Sequence, residues 1–489
     1  MKPLEAALER SAAGSDRAEV LWSIGKIKFE GEDTRVGLEY FERSLEEAGD
    51  DDLLRARILE SLSFPVVKQQ GFRAGRDYAR QAVRLAEKMG DKATLARALA
   101  QLGYLEWMCD EGVRTELFEE AVALEEELGG LELDYGPSGR YARVLYDSGS
   151  YDRARPLLER LCESGRETGD AAVNMPLFLL ANIGIETGAW ADAEKHARES
   201  YDVAVQTGRE AAEPRGLFTL ARLEAARGDS EAAREHAEQA LAMTEGRGWN
   251  SGGPRGALCF LELTNENYQA AYEVVLPAIE TYRRLGVAIV GQILDGSEAL
   301  AGMGRAGEGS LLLREAFDKA ASMMRLPWPT AAAARARGLL AAAEGDLEGA
   351  ERELESAVAL GRDVGWPLEL GRSLLALGTV QRQAGKKQAA RRTLEEAREV
   401  LEKLGARPWA ARAGRELGRI GGRTAAAGRD LSTTESEIVS LVVAGRSNKE
   451  VAQALHLSPK TVEWNLSKVY RKLGVHSRTE LAAHQGSRE

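Results

Sequence analysis

The stretch Pro329–Pro367, PTAAAARARGLLAAAEGDLEGAERELESAVALGRDVGWP, holds one complete unit of a pattern that runs through most of the chain. Pro329 suits the first turn of a helix, where its missing N–H would have had no partner. Gly345 ends that helix by accepting a positive φ. Ala350, five residues on, opens a second helix and is small enough to let two backbones approach closely. Ala350, Leu354, Ala357, Val358 and Leu360 then line one side of the second helix as an apolar stripe. Such a hairpin cannot bury its face alone and must stack on copies of itself.

Both markers recur. Turn residues stand at Gly149, Gly188, Gly228, Gly304, Gly345 and Gly385, with Asn265 in the one gap, at successive spacings of 39, 40, 37, 39, 41 and 40. Five residues after each comes a small residue: Ala154, Ala193, Ala233, Ala270, Gly309, Ala350 and Ala390. Prolines form a second, independent series at Pro137, Pro176, Pro214, Pro254, Pro329, Pro367 and Pro408, one period being skipped after Pro254. Three less regular units are expected over residues 15–136, with second helices at Thr34–Ala48, Arg73–Met89 and Val113–Leu128. Pro408–Ile420 lacks a second helix and reads as a cap. The expectation is an all-α chain dominated by an α-solenoid.

Composition agrees. A chain of 489 residues is too long for one core, and 44% apolar with 6% aromatic content favours helices packed through small side chains. The net charge of −12 is unevenly spread. From Arg429 onward nine Lys/Arg face seven Asp/Glu, leaving that piece about +2 and the rest about −14. An acidic body with a mildly basic tail fits contact with nucleic acid through one module only. Cys109, Cys162 and Cys259 are far apart and form no CxxC, so a disulfide framework is not expected. The N-terminus has no signal-peptide core, and no run approaches the roughly 18 apolar residues that span a bilayer. A cytoplasmic protein without a membrane partner is expected.

Gly421–Gly428, GGRTAAAG, breaks the repeat pattern, which divides the chain into repeats over 1–420, a linker over 421–429 and a small domain over 430–489. Four serines in this domain occupy helix-start positions. Ser432, Ser447 and Ser477 have Glu three residues later, a capping-box pattern, and Ser458 precedes Pro459. Helices are expected at Thr433–Ala444, Asn448–Leu455, Pro459–Leu473 and Arg478–Gln485. The turn between the second and third is short enough for helix-turn-helix geometry. On the third helix Val462, Leu466, Val469 and Leu473 form the core stripe. Lys460, Trp464, Ser467 and Arg471 fall opposite, with Lys468 at the edge. Two readings fit that face: a solvated basic surface with Trp464 packed on a neighbour, or a surface whose cations meet phosphates and whose ring meets a base or sugar.

Two resemblances bear on these readings. The hairpins resemble tetratricopeptide repeats in the longer form of MalT-like regulators, over about residues 15–420. Such arrays bind protein segments on their concave face, and the MalT-like kind also implies a small inducer. The domain LSTTESEIVSLVVAGRSNKEVAQALHLSPKTVEWNLSKVYRKLGVHSRTEL resembles the LuxR/GerE-type DNA-binding domain throughout. Its landmarks are Glu435, Glu437, Gly445, Ser447–Glu450, Ala452, Leu457-Ser458, Thr461-Val462, Lys472–Val475 and Arg478–Glu480.

That resemblance implies a third helix in the major groove of double-stranded promoter DNA and a last helix that pairs two copies through Leu481 and Ala482. Glu463, Trp464 and Ser467 fall on base-facing positions. Lys449, Lys460 and Arg471 fall near phosphates, with Thr461 and Lys468 beside them. The chain departs from several family members, which carry Lys at the positions of Glu463 and Ser467 and His at that of Asn465. Glu463 could accept from cytosine N4 but repels phosphate.

Enzyme chemistry finds no support. There is no GxSxG, no HExxH and no Cys/His nucleophile signature, so neither a catalytic residue nor a cofactor is expected. His196 and His236 read as exposed positions of separate repeats, and His456, His476 and His484 lack clustered acid or thiol partners, so no metal is expected either. Glu125-Glu126-Glu127 reads as a solvated helix face. The phosphate loop GxxxxGK[ST] is absent, Gly385-Lys386-Lys387 being its nearest fragment. The chain is expected to begin where the repeats of the ATP-binding LuxR regulators begin, either as a short regulator lacking their ATPase domain or as the C-terminal half of a larger one. The leading reading is a dimeric DNA-binding regulator whose repeats sense a partner or inducer. The alternative is an interaction scaffold whose C-terminal module only dimerises.

Overall fold

The structure is a computed structural model. It describes residues 2–481 apart from 31–33, 110, 130–135, 211, 245–250, 286–289, 320–325, 421–432, 456, 474, 476 and 479. Every regular element among the described residues is a helix. The chain divides into two compact units, Met1–Ala413 and Gly414–Glu489.

The first unit is an α-solenoid of ten helical pairs among the described residues. A short helix, Lys2–Arg10, precedes them and Arg407–Ile420 follows. The three early pairs are Ser15–Glu30 with Thr34–Glu47, Asp52–Ser63 with Phe72–Met89, and Lys92–Met108 with Thr115–Glu127. The seven regular pairs begin with Pro137–Asp147 and Tyr151–Thr168 and end with Pro367–Gln383 and Lys387–Leu404. All seven prolines of the ruler stand within the first three residues of a helix.

The turn glycines take the conformation their spacing demands. Gly149, Gly188, Gly228, Gly304, Gly345 and Gly385 have φ between 73° and 94°. The gap differs by one residue from the expectation. Asn265 has φ −86°, and the left-handed position belongs to Glu266 at φ 62°. The buried small residue moves with it, from the half-buried Ala270 to the fully buried Ala271. Asn tolerates the left-handed region far better than Glu, which is why sequence alone favours the wrong neighbour. Placing the turn at Glu266 also makes the flanking steps equal, from Gly228 and to Gly304.

Packing inside a hairpin depends on missing side chains. A Cβ at Gly338 would stand 2.5 Å from Leu354 Cγ, and one at Gly378 equally close to Leu394 Cγ. Leu354, Leu394 and the small residues Ala350 and Ala390 are fully buried in consequence. Two other readings need correction. Glu125 is not solvated: it is buried and accepts from the Ser138 N–H at 3.0 Å and from the Ser138 hydroxyl, anchoring the start of the next helix. His196 and His236 are half-buried rather than exposed, and His236 Nδ1 lies 2.8 Å from Glu224.

Successive turns of the solenoid touch. The Tyr151 ring lies flat on Trp366 at 5.0 Å, although 215 residues separate them, between five and six periods. Arg407 donates to the Arg227 carbonyl at 2.7 Å and to Asp229 at 2.9 Å. Asn174–Thr187 packs directly on Pro367–Gln383. The first helices of neighbouring pairs also pack on one another, and three of them carry the buried charges Glu298, Arg335 and Arg372.

The second unit contains Thr433–Val443, Asn448–Ala454 and Pro459–Leu473, with Arg478, Glu480 and Leu481 also helical. Ile438, Val439, Val442, Val451, Val462, Leu466, Val469, Val475 and Leu481 form its core. No helix among the described residues is long and apolar enough to cross a membrane.

Candidate nucleic-acid interface

The caps that start these helices are formed by the serines that mark them. Ser447 accepts from the Glu450 N–H while the Glu450 carboxylate accepts from the Ser447 N–H at 2.7 Å, a complete capping box. That hydrogen bonding holds the Glu450 carboxyl below its ordinary range. Ser458 Oγ accepts from the Thr461 N–H at 3.1 Å, and Pro459 is the first residue of its helix. Ser477 Oγ accepts from the Glu480 N–H at 3.1 Å. Ser432 lies outside the described residues. Gly445, at φ 85°, closes the first helix, leaving a turn of only a few residues before Ser447.

The Pro459–Leu473 helix has two unlike sides. Val462, Leu466 and Val469 are buried in the core. Lys460, Glu463 and Ser467 are exposed, and Thr461 is half-buried. Lys449, on the preceding helix, is exposed as well. Trp464, Lys468 and Arg471 belong to the helix, but their side chains, like that of Leu473, lie outside the description. Helical geometry places Lys460, Glu463, Trp464, Ser467 and Arg471 on one face, since steps of three and four residues return to the same side. Ser467 donates its hydroxyl to the Glu463 carbonyl at 3.0 Å, leaving its lone pairs free to accept. Asn465 is otherwise engaged, its amide donating to the Thr461 carbonyl at 2.9 Å.

The last helix differs from expectation. Leu481 is fully buried in the domain's own core, so it is not on offer to a second copy. A helix this short must bury its one large apolar residue to stay folded, and the nearest apolar surface is internal. Ala482 lies outside the described residues. Arg478, a landmark of the resemblance, has a structural role that reading by pattern did not assign. Its guanidinium donates to the Val442 carbonyl at 3.1 Å, to the Arg446 carbonyl and to Asn448 Oδ1 at 3.4 Å. A cation on the carbonyl end of the first helix satisfies free acceptors and complements the helix dipole. The signal was its place directly after a helix-start serine.

Residues 429–485 match the family described as bacterial regulatory proteins, luxR family. They form a LuxR-family helix-turn-helix domain. Over this LuxR-family domain the chain is 44% identical across 50 residues to the transcriptional regulatory protein ComA of Bacillus subtilis, covering 10% of this chain and 23% of that protein. A longer match reaches the repeats. A protein of Mycobacterium bovis named an HTH-type transcriptional regulator is 27% identical over 459 residues, covering 84% of this chain and 50% of the relative, and Mycobacterium tuberculosis counterparts match equally. The chain thus spans about half the length of these relatives. Among solved structures, a Rap protein complexed with competence and sporulation factor aligns with a TM-score of 0.48 at 12% identity, over 75% of this chain and 97% of that one.

Proposed function

We propose that this chain is a DNA-binding transcriptional regulator whose Pro459–Leu473 helix enters the major groove and whose repeats sense a protein partner or a small inducer. The observation that carries the reading is the division of that helix inside a LuxR-family domain. Its apolar side is consumed by the core, while Lys460, Glu463 and Ser467 stand exposed on the other. Glu463, Trp464 and Ser467 read base edges. Lys449, Lys460 and Arg471 neutralise phosphates, with Thr461 and Lys468 beside them. The protein acts as a homodimer on DNA, with half-sites about one helical turn apart. Because Leu481 belongs to the core, the two-fold contact passes through Ala482 and its neighbours.

The test is binding of the full-length chain to genomic fragments at several salt concentrations. Affinity should fall steeply with salt, each phosphate contact adding about −0.9 to the log–log slope. Lys460→Ala should weaken all sequences about equally and flatten that slope by about 1, whereas Trp464→Ala should change the preferred sequence. Undetectable or salt-independent binding defeats the reading. It would favour the alternative, an interaction scaffold whose C-terminal module only dimerises, for which the exposed carboxylate of Glu463 on the recognition face is the specific support.

A further inference from the structure

Helix Arg407–Ile420 is the last element of the repeats, and the division between the two compact units falls inside it, after Ala413. Its first residues, 407–413, reach units that lie far earlier in the chain. Arg407 donates to the Arg227 carbonyl at 2.7 Å and to Asp229 at 2.9 Å. Pro408 lies so close to Gly228 that a Cβ there would stand 2.9 Å from its Cγ. Trp409 is buried against Phe260, with ring centroids 6.3 Å apart. Arg412 donates to the Tyr268 hydroxyl at 2.7 Å and lies 3.5 Å from the Glu266 carboxylate. The seat of this short stretch is therefore built from two successive units, at residues 227–229 and 260–268.

Three features mark the seat as a contact made at a cost. Trp409 Nε1 and Arg372 Nε are buried donors with no acceptor among the described residues. They are neighbours, since the Arg372 guanidinium stacks on the Trp409 and Phe260 rings at 5.0 and 5.4 Å. Burying an N–H without a partner is unfavourable, and withdrawing Trp409 would let water reach both. Glu266 holds a left-handed φ of 62° where its sibling turns carry glycine. Glycine would sit there without strain, but only a side chain with an acceptor reaches Arg412. The outer anchor is weak as well: Arg407 and Asp229 are 70% and 52% exposed, and water screens such a pair. Opposing these costs are the burial of the Trp409 ring and the Arg412 guanidinium over its face at 5.8 Å. A purely static cap needs neither the unpartnered donors nor the strained turn.

We propose that residues 407–413 are a latch, seated on residues 227–229 and 260–268 in one state and released in another, through which the repeats control how the LuxR-family domain is attached. The consequence for DNA rests on the reading of that domain as the DNA-binding module; the latch itself does not. Gains and costs that nearly cancel are what a two-state element needs, because a small difference in binding then shifts its population. Release lengthens the chain between the repeats and the LuxR-family domain. The length of such a tether sets the concentration of one joined domain near another, so the state of the latch is felt at the far end.

The experiment is hydrogen exchange on the full-length chain without DNA, with thermal unfolding followed in parallel. In the parent, amides of residues 407–413 should exchange about tenfold or more faster than those in the middle of Lys387–Leu404, through an opening smaller than global unfolding. Glu266→Gly should leave the unfolding midpoint equal or higher, because it removes the left-handed strain. It should nevertheless speed exchange over 407–413 about threefold or more, because Arg412 loses its carboxylate. Arg412→Ala should speed it by about tenfold or more. Faster exchange at a midpoint that does not fall separates a latch from a cap that has merely lost stability. Parent and variants are then titrated with genomic DNA fragments, and both variants should shift affinity in the same direction by about fivefold or more. Absence of DNA binding by the parent counts against the promoter reading alone and leaves exchange to decide the latch. The proposal is overturned by exchange at 407–413 as slow as in Lys387–Leu404, by exchange that neither variant changes, or by equal DNA affinity in the parent and both variants.

Discussion

Glu298 is held by two guanidinium groups at once, and its environment sets a sign for the effect of pH. Burial alone would raise its carboxyl, but Arg335 and Arg372 hold it down at about 2. A carboxyl lower in the folded chain than its ordinary value of 4.5 stabilises the fold above that value. The contribution fades as pH falls from about 4.5 towards 2. Glu298→Gln should therefore cost about 3 kcal/mol or more at pH 7, because it strips a carboxylate from buried arginines. The gap between variant and parent, measured by chemical denaturation, should narrow at pH 3. An unchanged gap would mean that shape, not charge, decides the site. Leu481 yields a prediction of a different kind. Leu481→Lys places a charge in the core of the LuxR-family domain, so hydrogen exchange across residues 433–481 should accelerate throughout. Normal protection with weakened DNA binding would restore Leu481 as a surface between copies.

At the scale of the hairpin, one turn departs from its siblings and can be tested against them. Glu266 occupies the left-handed position that glycine fills in the other turns, at a cost of about 1–2 kcal/mol for an L side chain. Its partly exposed pair with Arg412, at 3.5 Å, returns only a fraction of that. Glu266→Gly should thus raise stability by about 0.5–1 kcal/mol. Gly228→Ala should do the reverse, by about 1–3 kcal/mol, since φ is 94° and a Cβ would meet Pro408 Cγ at 2.9 Å. Equal midpoints for parent and Glu266→Gly in thermal denaturation would count against the strain. These turns also show why the repeats could be read from sequence. Proline at a helix start and glycine at its end report local backbone conformation, and local conformation recurs wherever the unit recurs. The serine caps of the last domain were legible for the same reason. The register at Glu266 was not, because the residue there contradicts its own conformational preference. Nor was the burial of Glu125, which depends on meeting Ser138 across a helix boundary. The buried ion-pair network was least legible of all: Glu298, Arg335 and Arg372 sit 37 residues apart in successive units, but nothing local says that they meet.

Only the pitch of the whole solenoid brings residues five to six units apart into contact, and that closure should have a measurable energy. Trp366 is buried against Tyr151 and stands directly before the helix that packs on Asn174–Thr187. Removing its ring by Trp366→Ala takes away one of the largest contacts between successive turns, a change that costs about 3–5 kcal/mol in a packed interior. A comparable loss within one hairpin, Leu354→Ala, should loosen its own unit and immediate neighbours, because each repeat otherwise leans only on those beside it. The two variants should therefore separate in hydrogen exchange. Leu354→Ala should speed exchange chiefly over residues 327–383. Trp366→Ala should speed it there and also over 137–187, some 200 residues earlier in the chain, and should increase the radius of gyration in solution scattering. Exchange confined to residues 327–404 in Trp366→Ala would show that the turns touch without supporting one another.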